Sequence, residues 1–314
     1  MTVATTPRAT ARLQFHREFT LDDAVRIVPY LARLGISHLY ASPLLTARPG
    51  STHGYDIVNH NEINPELGGS AALDRLVKAL HGQGMGLILD IVPNHMGVGG
   101  SDNAWWMDVL EWGRASRYAD AFDIDWNPPE PGLHGKVMAP FLGSSYGEAL
   151  AGGELELCCD REEGRFFVAY HEHHFPIAAA GCAEILSARP GIFAEAIAHF
   201  AGAADLARRP EIARPLAETA RRRILQALAR PDGPAALDAV LKRYDAKQEK
   251  GRQRLHQLLE SQHYRLSWWR AAADEINWRR FFDINMLAGI KVEVPWVFEE
   301  SHRLIVEMYA RGMI

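Results

Sequence analysis

A chain of 314 residues that is 47% hydrophobic and 23% charged has the composition of a soluble globular protein, with length enough for one large domain or two ordinary ones. Its net charge of -5 leaves no basic footprint, which speaks against nucleic acid as a partner. Three cysteines, Cys158, Cys159 and Cys182, make no even disulfide framework, and no run of ~18 apolar residues offers a membrane span. The opening stretch MTVATTPRATARLQF has no apolar leader core, so the expectation is a cytoplasmic protein with no membrane anchor.

In chain order, RLQF (12–15) reads as a short strand. Thr20 then offers a helix N-cap with Asp23 three residues on, and Ala24, Val25, Val28, Leu31 and Ala32 recur on one helical face. Pro29 predicts a kink or a late start in that helix. Gly35 ends it, and ISHLYASP (36–43) is a second strand stopped by Pro43. Residues 44–69 read as a long polar loop. A second helix follows, with Leu73, Leu76, Val77 and Leu80 on one face, and then a third apolar strand at 86–92. Apolar strands joined by helices imply an α/β fold with a parallel sheet covered on its faces.

After His95 the rhythm breaks. Residues 97–275 hold a Trp/Gly/Pro-rich stretch, RFFVAYHEHHF, and Ala/Arg/Leu-rich helical segments from about 191 to 262. An ordinary connection in such a fold has ~2–6 residues, so this is an inserted, mainly helical subdomain. Residues 276–314 return to the first pattern. Pro295 suits a first helical turn, Val297/Phe298, Ser301, Leu304/Ile305 and Met308 mark one face, Gly312 is the stop, and Met313 and Ile314 begin a fourth strand. The expected domains are thus 1–96, 97–275 and 276–314.

In open sheets and closed barrels of this class, function sits at the C-terminal ends of the strands. Two polar clusters meet that condition. GLILDIVPNH closes on Asp90, Asn94 and His95, which read equally as a sugar- or ion-binding corner and as a hydrogen-bonded plug. HGYD places His53, Tyr55 and Asp56 on a Gly/Pro-rich loop, where an aromatic face beside a carboxylate suits a sugar and where turn chemistry is the plainer reading. In HEHH, His171, His173 and His174 alternate on a strand, so His171 and His173 alone could share a ligand, and a polar groove lined by Tyr170 and His173 is favoured over a metal. Trp105/Trp106 and Trp268/Trp269 read as core. No phosphate loop, dinucleotide fingerprint or nucleophile elbow is present, and neither a cofactor nor a metal is expected.

DIVPNH resembles the first signature region of the α-amylase superfamily, and GYD resembles its subsite tyrosine and aspartate. SPLLTARPGSTHGYDIVNHNEINPELGG, WWMDVLEWGRASRYADAFDIDW, APFLGSSYGEAL and QHYRLSWWRAAADEINWRRFFDINMLAGIKVE resemble, in that order, the maltooligosyltrehalose synthase family of that superfamily. The resemblance implies a (β/α)8 barrel, here its first three βα units with the insertion after the third strand. It implies intramolecular transglucosylation, in which the reducing-end α-1,4 bond of a maltooligosaccharide becomes an α,α-1,1 bond. Tyr55 would stack on the glucosyl unit and His95 would hydrogen-bond its hydroxyls, while Asp56, Asp90 and Asn94 would mostly brace the loop and neighbouring charges; with His53 these make up the expected substrate-binding residues. A retaining mechanism needs two carboxyl groups ~5–5.5 Å apart. By motif the nucleophile and the acid fall beyond Ile314, so no residue of this chain is assigned a catalytic role. The chain alone is expected to be inactive, its open strand edges awaiting the other half of the barrel. The alternatives are another hydrolase or transglycosidase of the superfamily and an inactive glycan-binding fragment.

Overall fold

The computed structural model describes residues 6–314; residues 1–5, where the stretch read as leaderless begins, lie outside them. The chain divides into two compact units, one comprising the residues up to Val98 with Met286–Ile314, the other Gly99–Asn285.

The first unit runs β1 (Thr10–Leu13), α1 (Leu21–Arg33), β2 (His38–Ala41), β3 (Leu45–Ala47), β4 (Ile57–Ile63), α2 (Gly69–Gly82), β5 (Gly86–Leu89) and β6 (His95–Gly97). The second holds α3 (Ala104–Trp112), β7 (Val137–Leu142), α4 (Tyr146–Ala151), β8 (Glu156–Asp160), β9 (Arg165–Tyr170) and β10 (His173–Pro176). Helices α5 (Ala179–Leu186), α6 (Pro190–Asp205), α7 (Pro210–Leu228), α8 (Gly233–Leu241) and α9 (Glu249–Glu260) come next, then β11 (Tyr264–Trp268), α10 (Ala272–Glu275) and β12 (Arg280–Phe281). The chain re-enters the first unit through β13 (Ile284–Gly289) and ends with α11 (Pro295–Ala310).

The α/β reading of the first unit rests on a parallel sheet of order β1-β2-β5, in which Arg12, Tyr40 and Ile88 stand in register. Helix α1 starts where the sequence says it should. The Thr20 hydroxyl accepts from the Asp23 N–H and the Asp23 carboxylate accepts from the Thr20 N–H, a closed capping box. No late start occurs at Pro29, because the helix runs unbroken from Leu21. The proline lies on the exposed face, where its missing N–H disturbs no packing, while Leu21, Ala24, Val28 and Leu31 are buried on the other. Leu73, Leu76, Val77 and Leu80 of α2 enter the same core, as do Leu39, Leu87 and Met308. Full burial of each such aliphatic side chain contributes roughly 1.5–3 kcal/mol.

Several boundaries differ from the sequence reading, each for a local reason. The first strand ends two residues early because the Phe15 N–H donates to the Ser42 hydroxyl instead of a ladder partner. The third strand stops at Leu89, since its partner β2 stops at Ala41, ahead of Pro43. The stretch read as a polar loop contains the antiparallel pair β3–β4, whose Leu45, Ile57 and Ile63 point into the core. At the far end, Gly312 takes a φ of 66° and the Met313 N–H returns to the Met308 carbonyl, closing α11. Met313 is buried behind that turn, and Met313 and Ile314 pair with no strand among the described residues. Phe298 leaves the predicted apolar face and is 49% exposed, stacked on His302.

In the second unit, β8, β9 and β10 form an antiparallel meander and β7 pairs in parallel with β11. Trp106 is buried edge-on to Phe122 and Trp278. Trp268 and Trp269, expected in a core, are 37% and 50% exposed, with the Arg270 guanidinium over both rings. They lie where β11 ends and its single neighbour gives no further cover. No helix among the described residues is long and apolar enough to cross a membrane.

Candidate functional site

The three parallel strands of the first unit finish in register, Leu13 beside Ala41 beside Leu89. The next residues of each strand therefore leave the sheet at one end, and the residues singled out from sequence gather there. Glycine geometry explains how the HGYD loop reaches them. Gly54 has a φ of 77°, and a Cβ there would lie 2.8 Å from the Pro43 carbonyl oxygen, so the loop packs directly on the chain leaving β2. Gly97 allows a second close approach, where a Cβ would come within 2.9 Å of the Asp56 carbonyl oxygen.

Tyr55 is the hub. Its hydroxyl donates to Asp90 Oδ2 at 2.5 Å and accepts from Arg12 Nη2 at 3.0 Å, while Arg12 also approaches the same carboxylate at 3.5 Å. The hydrogen bond to Asp90, helped by burial, pushes the phenol pKa up, so the group remains a protonated donor with an apolar ring beside it and is no candidate base. Arg12 in turn lies over the Tyr40 ring at 5.5 Å. Strands β1 and β2 and the segment after β5 thus each supply one partner to this cluster.

The loop around Tyr55 is held from both sides. Gln14 donates from Nε2 to the carbonyls of Thr52 and His53 at 3.3 and 3.1 Å. Asp56 accepts from the Ser51 hydroxyl at 2.5 Å, and that hydroxyl accepts from the Gly54 N–H. His53 takes the Tyr55 N–H on Nδ1 at 3.0 Å, which leaves that nitrogen no proton to share with Asp56, 3.8 Å away.

His95 is buried, and burial lowers its pKa against the opposing pull of the Tyr55 carbonyl and of Asp56. The neutral ring donates from Nε2 to the Tyr55 carbonyl at 3.0 Å, and Nδ1 lies 2.9 Å from Asn94 Oδ1; because Nδ1 of that tautomer only accepts, this contact is a hydrogen bond only with the Asn94 amide turned to present its NH2. Asn94 itself is exposed, and its carbonyl accepts from the Ile290 N–H just past β13. Both ring nitrogens of His95 are engaged inside the protein, and a sugar hydroxyl reaches Nδ1 only by replacing Asn94.

The structure brings together Tyr55, Asp90, Asp56, His53, Asn94 and His95, and adds Arg12, Gln14, Tyr40 and Ser51. Arg12 carried a usable signal: a charged side chain near the end of a parallel strand, facing a carboxylate at the end of another. The histidines of HEHH belong elsewhere. His171 has a φ of 51° in the turn between β9 and β10, so the three do not alternate along one strand. His173 is buried and accepts the Gly100 N–H on Nδ1, while His174 stacks on Phe167. Tyr170, also buried, accepts the Gly143 N–H on its hydroxyl. Among the described residues, no three His, Cys, Asp or Glu side chains converge as a metal site would require.

Comparison with known proteins finds relatives of this chain. The model of the α-amylase catalytic domain matches residues 21–168. A protein of Mycobacterium tuberculosis (strain H37Rv) described as a putative maltooligosyl trehalose synthase is 34% identical over 94% of this chain and 28% of its own length. The solved structure of maltooligosyltrehalose synthase from Arthrobacter ramosus is 35% identical and superposes with a TM-score of 0.68, covering 98% of this chain and 30% of that one. A malto-oligosyltrehalose trehalohydrolase of Rhizobium sp. (strain M-11) is 34% identical over 35% of the chain and 19% of its own. The chain thus spans less than a third of the length of these relatives.

Proposed function

We propose that this chain, a relative of maltooligosyltrehalose synthase in the α-amylase superfamily, is the glucan-holding part of an enzyme that converts the reducing-end α-1,4 bond of a maltooligosaccharide into an α,α-1,1 bond. The observation that carries the reading is the Arg12–Tyr55–Asp90 cluster at the C-terminal ends of three parallel strands. A phenol clamped at its hydroxyl presents a fixed ring face, and a pyranose stacks on such a face through its C–H groups. Asp90 and Arg12 fix that ring; Asp56 and His53 fix the loop that carries it. His95 takes a glucosyl hydroxyl at Nδ1 when Asn94 yields its place.

In this reading β1, β2 and β5 are the first three strands of a (β/α)8 barrel, and residues 99–285 are an insertion after the third. The exposed edges of β1 and β5 then pair with strands from outside this chain. Intramolecular transglucosylation with retention needs a nucleophilic and an acidic carboxyl group ~5–5.5 Å apart. Asp90 is committed to Tyr55 and Arg12, and Asp56 to Ser51, so neither is assigned to that pair.

Two measurements test this. Maltopentaose should slow amide hydrogen exchange across residues 50–56 and 86–97, and Tyr55→Ala should abolish that protection. Incubated with maltopentaose, the 314-residue chain should consume no reducing ends. Protection that survives Tyr55→Ala unchanged overturns the subsite; appreciable loss of reducing ends overturns the assignment of the carboxylates.

A further inference from the structure

The second unit contains a cavity of about 580 Å3 that the reading above does not use. Its volume is within the roughly 300–1,000 Å3 of small-ligand sites. We propose that it binds a short α-glucan segment, an inference that takes its ligand class from the proposed function but rests on different residues.

The walls are aromatic. Tyr118 stacks on Trp105 at 4.9 Å between ring centres, and Phe167 stacks on His174 at 4.2 Å, so each wall ring is backed and held flat by another ring. The floor is polar and already organised. Glu111 receives the guanidinium of Arg221 and lies 3.6 Å from that of Arg165, while Arg214 forks onto Asp108 at 2.5 and 2.8 Å. Bidentate and paired groups of this kind keep their places without ligand.

Charge selects among ligand classes. Five lining carboxylates meet three lining guanidiniums and that of Arg214, leaving no surplus positive charge for a phosphate or a nucleotide. Pairing does not exhaust these groups, because a carboxylate has about four acceptor positions and a guanidinium five N–H donors. Organised donors and acceptors beside the Phe167 ring suit a neutral polyol with C–H faces, with Tyr118 held between Trp105 and the Arg117 guanidinium, 4.6 Å over its ring. The meander supplies Phe167 and His174 to the lining, and the segment after α3 supplies Tyr118.

Hydrogen exchange with maltopentaose tests the assignment, with cellopentaose and inorganic phosphate as controls. Maltopentaose should slow exchange several-fold across 101–118 and 160–177, equally in the unsubstituted chain and in Tyr55→Ala, and neither control should do so. Phe167→Ala should remove the effect. Because Phe167 is half-buried, the exposed rim variants Arg117→Ala and Glu163→Gln serve beside it, and each should weaken maltopentaose binding at least threefold with an unchanged circular dichroism spectrum. Protection at 50–56 without any at 160–177 overturns this inference and leaves the proposed function standing. Protection at 160–177 alone upholds it and removes the Tyr55 subsite. Equal protection by phosphate, or rim variants that bind as the unsubstituted chain does, overturns it.

Discussion

His60 should make the first unit sensitive to mild acid. It lies on β4, 2% exposed, with Nε2 3.0 Å from the Val92 carbonyl and with no hydrogen-bond partner for Nδ1 among the described residues. Burial pushes its pKa from the ordinary 6.5 down to about 4, against the opposing effect of the Val92 carbonyl. The unfolded chain therefore binds a proton between pH 6.5 and pH 4 that the folded chain refuses, and stability falls as pH falls through that window. Some 2.5 units at 1.36 kcal/mol each give a ceiling of roughly 3 kcal/mol, of which about 2 kcal/mol is already lost at pH 5. His60→Gln keeps an amide N–H for Val92 and does not titrate. Urea unfolding at pH 7 and pH 5 should show the unsubstituted chain losing about 2 kcal/mol more than the variant. Equal losses would refute the reasoning. His95 and His263, also held low by burial, contribute to both proteins alike and cancel in the comparison. The effect reaches the site because Val92 lies between Asp90 and Asn94.

Arg12→Met removes a donor from the Tyr55 hydroxyl and an ion partner from Asp90; as Arg12 is well exposed, the cost is about 1 kcal/mol, read calorimetrically as a several-fold weaker affinity for maltopentaose. Gly54→Ala forces a left-handed backbone on an L residue and drives a Cβ into the Pro43 carbonyl, so thermal unfolding should show a loss of roughly 1–3 kcal/mol and the loop carrying Tyr55 should exchange faster. Arg221→Met removes the nearer of two guanidiniums from Glu111, whose pKa burial already raises, and leaves Arg165 at 3.6 Å, so the loss in urea unfolding at pH 7 should fall below the roughly 3–5 kcal/mol of a fully stranded buried charge. The double variant with Glu111→Gln should recover part of that loss; a double variant no better than the single would show that the pair is not coupled.

The resemblance carried by DIVPNH and HGYD was legible without coordinates, because a strand that ends in polar side chains has few places to point them. The capping box at Thr20 and the buried face of α2 were equally local and equally plain. The β3–β4 pair leaves no periodic signal, because its apolar residues are thinly spread through a stretch rich in turn formers. HEHH has the spacing of a strand, but the positive φ of His171 puts a turn inside it that no local residue pattern announces. Trp268 and Trp269 show that large apolar side chains alone do not fix burial, which depends on what the rest of the chain sets against them.

By itself, then, the sequence determined the periodicities, the caps and the strand-end motifs with the resemblance they carry, since each is written in neighbouring residues. Only the tertiary structure decided that Arg12 and Asp90, 78 positions apart, clasp the Tyr55 hydroxyl, and that His95 already has both ring nitrogens occupied. Such pairings depend on strand register and on the close approach that Gly54 permits, and neither is encoded within any short window of the chain.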